Sequence, residues 1–100
     1  MAILPAGNIG GANVVGTDGE SLGSISELMI DADTGRIAYA VLSYGGVLGV
    51  GEKLFAVPWA TFAVDAVTGS FSVAIERDRF EALPGFDKDA WPTEADAALD

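Results

Sequence analysis

Ile30-Asp31-Ala32-Asp33-Thr34-Gly35-Arg36-Ile37-Ala38-Tyr39-Ala40-Val41-Leu42 returns in weaker form as Val64-Asp65-Ala66-Val67-Thr68-Gly69-Ser70-Phe71-Ser72-Val73-Ala74-Ile75-Glu76. In both copies an apolar residue and Asp lead into Thr-Gly, and a β-rich run follows. Asp and Thr side chains hydrogen-bond a backbone back onto itself, and Gly takes the positive φ that closes a short loop. The repeat therefore predicts two β-hairpins.

The strand after the first turn, Ile37 to Tyr44, carries Ile37, Tyr39 and Val41 on one face and Ala38, Ala40, Leu42 and Tyr44 on the other. A half-exposed antiparallel strand alternates apolar with polar residues, and this one does not. Its second face needs a cover, from a tail of the same chain, a second sheet layer or another subunit. The second hairpin, Thr61 to Asp65 with Ser70 to Ile75, is ordinary by comparison. There Phe71, Val73 and Ile75 point inward, while Ser70, Ser72 and Ala74 point outward.

Working outward, Asn13 to Gly16 reads as a short first strand, followed by an Asp18-Gly19 turn. Ser24 to Ile30 reads as a strand with an irregularity. Ile25 and Leu28 share a face only if an extra residue intervenes, so a bulge is expected near Ser26 or Glu27. Lys53 to Val57 is another strand, ended by Pro58, which cannot donate to a ladder. Arg77 to Leu83 is a helix of about two turns, stopped by Pro84-Gly85. So short a helix must dock to persist. Phe86 and Trp91 then stand in a charged stretch and read as anchors for a tail. The expected fold is mainly β, a small antiparallel barrel of about six strands with one short C-terminal helix. The expected organisation is a flexible N-terminal arm over 1–12, the barrel with its docked helix and tail over 13–92, and a frayed acidic tail over 93–100.

Composition bounds the chemistry. One hundred residues, half of them apolar, make one domain with a core of its own. Cysteine and histidine are both absent, which removes disulfides, thiolate metal sites and the commonest general base. The net charge of −10 argues against nucleic acid, because phosphate binding needs clustered cations. Arg36, Lys53, Arg77, Arg79 and Lys88 are scattered instead. No uncharged apolar run reaches the roughly 20 residues a membrane-spanning helix requires. The first residues lack the basic and apolar regions of a signal peptide, so a cytoplasmic location is expected.

Three motifs invite a chemical reading. Asp31-Ala32-Asp33-Thr34-Gly35 resembles the start of a calcium loop, but the twelfth position is Leu42 inside a strand, so the hairpin turn is preferred. Gly45-Gly46-Val47-Leu48-Gly49-Val50-Gly51-Glu52-Lys53 has glycines and a lysine but neither a Gly-Lys-Ser/Thr end nor a following helix, so it is no phosphate loop. It reads either as a flexible connection between strands or as an exposed apolar tip for a partner, the contacts being Tyr44, Val47, Leu48 and Val50. Serines are present, but without His or Cys the usual hydrolase triads cannot form. No catalytic, cofactor-binding or metal-ligating residues are assigned, and no enzyme activity is expected.

Residues 13 to 92 resemble the PRC-barrel family. The resemblance rests on Gly19-Glu20-Ser21-Leu22-Gly23, on Asp33 to Ser43, on Gly45 to Lys53, on Phe55-Ala56-Val57-Pro58-Trp59 and on Pro84-Gly85-Phe86-Asp87-Lys88-Asp89-Ala90-Trp91-Pro92. It implies a small, mostly antiparallel β-barrel that serves as a docking platform, as in the cytoplasmic domain of the photosynthetic reaction-centre H subunit and in a ribosome-maturation factor. The expected function is a non-catalytic interaction module that self-associates as a dimer or higher oligomer and docks on a further protein. The alternative is a membrane-associated regulator of quinone-linked electron transfer, which the absence of the H subunit's spanning helix weakens.

Overall fold

The computed structural model describes residues 3–45, 53–65, 67–87 and 89–99. The chain opens with one helical turn, α1 (Ala6–Ile9), and continues through β1 (Asn13–Val15), β2 (Ser21–Asp31), β3 (Arg36–Tyr44) and β4 (Lys53–Pro58). A 3-10 turn over Trp59–Thr61 leads to β5 (Phe62–Val64) and β6 (Phe71–Val73), then α2 (Arg77–Ala82) and a last 3-10 turn over Ala97–Leu99. All six strands form one sheet in the order β4-β3-β2-β1-β6-β5.

That order forces the sheet to curl. β4 and β5 lie at opposite edges, yet only the Trp59–Thr61 turn separates them in the chain. A flat six-stranded sheet would hold its outer strands roughly 24 Å apart, while the links from Pro58 to Phe62 span at most roughly 14 Å. The result is a curled half-barrel. Its pairings are antiparallel except that of β1 with β6, which is parallel, Val14 lying opposite Phe71. The mainly β, mostly antiparallel arrangement of about six strands that the sequence predicts is the one found, with this single parallel pair within it. A parallel neighbour needs a long crossover, and here the chain from β2 to β5 supplies it.

The repeated turns are superimposable in their hydrogen bonds. Asp31 Oδ1 accepts from the N–H of Asp33 at 2.9 Å and of Thr34 at 3.4 Å. Asp65 Oδ1 accepts from Val67 and Thr68 at the same two distances. Gly35 and Gly69 donate to the carbonyls of Asp31 and Asp65, each at 2.8 Å, with φ of 77° and 74°. Asp31 is thus occupied in shaping its own loop.

The irregularity in β2 is where periodicity requires it. Ile25 pairs with Leu42 and Glu27 with Val41, so Ser26 is the extra residue. Ile25 and Leu28 then face the same core. That core joins Val14, Leu22, Ile25, Ala40, Leu42, Phe55, Val57, Phe71, Val73 and Phe80. Two of its members come from segments expected to be loose. Ile9 is buried as α1 folds over the sheet, and the following backbone is tied to β2, Gly11 donating to Ile25 O at 2.7 Å and Ile25 to Ala12 O at 2.9 Å. Leu99, near the C-terminus, is fully buried.

Helix α2 is held from three sides. Phe80 packs against Tyr44, stacked at 5.4 Å between centroids, and edge-on to Phe55 at 5.1 Å. Lys53 Nζ donates to the carbonyls of Phe80, Glu81 and Leu83 at 3.2–3.4 Å, satisfying the end of a short helix and complementing its dipole. Leu83 is extended, as the residue before Pro84 tends to be.

Candidate interaction surface

β3 splits its side chains as the sequence requires. Ala40, Leu42 and Tyr44 enter the main core, whereas Tyr39 and Val41 form a second cluster with Ala56 on the opposite side of the sheet. Both clusters are dry: Tyr39 is 1% exposed and Val41 0%. The cover over the second is the tail that follows α2. Phe86 and Ala95 pack on it, together with Met29 and Leu54. Tyr39 Oη donates to Pro92 O at 2.7 Å, Phe86 N–H to Leu54 O at 2.7 Å and Asp96 N–H to Ala56 O at 2.8 Å. Trp91 lies on Phe86, centroids 5.2 Å apart, and keeps 41% of its surface exposed. Of the three covers expected for β3, the tail of the same chain is the one found. The strand's two apolar faces therefore no longer call for another subunit.

The β3–β4 connection leaves the sheet from anchored ends. Tyr44 is 5% exposed, and its Oη donates to Glu81 Oε1 at 2.5 Å. The ring expected to meet a partner is thus a core ring, packed against Phe55 and Phe80. An aromatic at a strand end reads the same in sequence whether it turns in or out. Val47, Leu48 and Val50, the other expected contact residues, lie outside the described residues. Lys53 closes the connection, bound to α2 as described.

Burial raises the pKa of Tyr44 above the ordinary tyrosine value, and its bond to Glu81 adds to the rise while Arg77 opposes it. Tyr39 is raised by burial. Both rings bind their protons more tightly folded than unfolded, so their contribution is intact below pH 10 and falls away as pH climbs through the folded values. Urea midpoints are therefore expected to hold up to about pH 10 and to drop as pH is raised above it. Tyr39→Phe with Tyr44→Phe should flatten that drop, while an equally steep drop in the double variant contradicts the assignment.

The other surface features are less organised. An open cleft of about 780 Å³ runs between the Trp59–Thr61 turn, α2 and Leu99, bordered by Thr61, Glu76, Asp78 and Arg79. A shallower hollow of about 470 Å³ joins Arg36, Ile37, Pro58 and Trp59. Among the described residues no three acidic side chains converge to hold a metal ion, and no helix is long and apolar enough to cross a membrane.

The family model for the PRC-barrel domain matches residues 1–81. The chain belongs to the PRC-barrel family. A search of the curated proteins found no match. Among solved structures, the chain is similar to RimM of Pseudomonas aeruginosa, described as a 16S ribosomal RNA processing protein, with 19% identity and a TM-score of 0.48. The similarity covers 75% of this chain and 45% of that one, so this PRC-barrel spans less than half of the neighbour's length.

Proposed function

We propose that this PRC-barrel is a non-catalytic protein–protein interaction module, carrying out no reaction of its own, with the β3–β4 connection as its contact element. A second copy of the chain is among the partners it would meet, and the cytoplasm is the setting. The observation that carries this reading is the fixing of both ends of that connection to α2, through Tyr44 with Glu81 and Lys53 with three helix carbonyls. A segment with Val47, Leu48 and Val50 between rigid posts loses less entropy on binding than one hung from loose ends. No observation favours the regulator of electron transfer, and that reading goes no further.

The test is site-specific photo-crosslinking from position 48 in the native cell. The expected result is one discrete protein adduct that Val50→Asp abolishes, with the purified variant still folded by circular dichroism. Absence of any protein adduct, or an adduct insensitive to Val50→Asp, contradicts the proposal.

A further inference from the structure

The family match ends at residue 81, and the segment covering the outer side of β3 begins just after it. Residues 84–87 and 89–98 thus form a strap over a surface that belongs to the matched domain, and Leu99 at its end passes into the main core. The strap meets the edge of β4 at two points, Phe86 on Leu54 and Asp96 on Ala56. Between them it stands off and leaves a gap of about 330 Å³, walled by Leu54, Ala56, Phe86, Pro92 and Ala95. Backbone hydrogen bonds to an edge strand, with side chains set into an apolar face, are the means by which sheets accept extended segments. An edge that accepts this segment from its own chain accepts the same segment from another.

We propose that the outer face of β3 and the edge of β4 form a docking groove for residues 84–99 of a second copy, so that copies join by exchanging tails. Exchange keeps every contact the strap makes, and only the junction at Pro84-Gly85 takes a new path. Nothing in it depends on the β3–β4 connection. The junction is also where the strap's own seat is most constrained. Gly85 has φ 72°, and a Cβ there would lie 2.6 Å from Leu54 O. Gly85→Ala therefore loosens the strap in its own chain and leaves the groove intact for an incoming segment that retains glycine.

The test uses the full chain and a fluorescent synthetic peptide of residues 84–99, standing for the tail of a second copy. Saturable binding is expected, at least tenfold tighter to Gly85→Ala than to the parent, with no binding of a scrambled peptide. Phe86→Ala, which weakens the strap without altering the backbone, should tighten peptide binding in the same direction. Leu48→Asp should leave it unchanged. Refolding of the parent at high concentration should give a dimer by light scattering that persists on dilution. Equal binding by parent and both variants, binding of the scrambled peptide, or a monomer at every refolding concentration would each overturn the proposal.

Discussion

Gly23→Ala is expected to abolish the cooperative fold or to cost at least about 3 kcal/mol, the scale of severe backbone strain. Gly23 sits in β2 with β1 on one side and β3 on the other, opposite Val14 and Tyr44. Its φ is 154°, and an alanine Cβ would fall 1.9 Å from the carbonyl oxygen of Ser43. The obstacle is backbone in a neighbouring strand, so no side chain can swing aside. Relief would require β2 and β3 to separate where Tyr44 begins the anchored end of the β3–β4 connection. Against a typical total stability of about 5–15 kcal/mol, such a loss is decisive. Gly19→Ala is the control: its φ is 78° but nothing lies within 4 Å of a Cβ there, so about 1–2 kcal/mol is expected. Urea unfolding followed by circular dichroism separates the two. Similar midpoints would mean that β2 and β3 do not approach as described.

Phe80→Ala should cost about 3–5 kcal/mol, the usual range for a buried aromatic. Phe80 is fully buried, and its ring is the third of a packed set with Tyr44 and Phe55. It also pins α2, which has six residues and no side-chain N-cap. A helix that short does not survive undocked. Loss of the ring should therefore free the carbonyls that Lys53 caps and loosen the Tyr44–Glu81 bond. Hydrogen exchange should show α2 amides unprotected in the variant while the β2–β3 amides stay slow. A loss below about 1 kcal/mol would show that α2 is held by something other than Phe80.

Much of this is legible in the sequence wherever a local rule dictates geometry. Thr-Gly after Asp gave both hairpin turns, and the spacing of Ile25 and Leu28 gave the bulge at Ser26. The unbroken apolar run of β3 gave two buried faces. Its cover was not legible, because three arrangements satisfy the same pattern and only the path of the tail chooses among them. Phe86 was recognisable as an anchor by its charged surroundings. Ile9 and Leu99 were not recognised as core, since each stands alone among small residues with no periodicity to place it. The parallel pairing of β1 with β6 leaves no mark in either three-residue strand, being decided by the closure of the sheet. Tyr44 shows the limit for the candidate site. Its place beside the apolar Gly-rich tip suggests a partner contact, whereas the docking of Phe80 from a distant helix holds its ring inside. Nothing marked Gly23 apart from the other glycines, because its constraint comes from a neighbouring strand.

The claim on which the rest stands is that one chain hides both faces of β3, with its own tail over the outer one. Isotope-filtered nuclear Overhauser spectra on a dilute, monomeric sample test it most directly. The account predicts intrachain contacts from the Phe86 ring and the Ala95 methyl to Val41 and Tyr39. Their absence, with Tyr39 and Val41 exchanging freely with solvent, would contradict it.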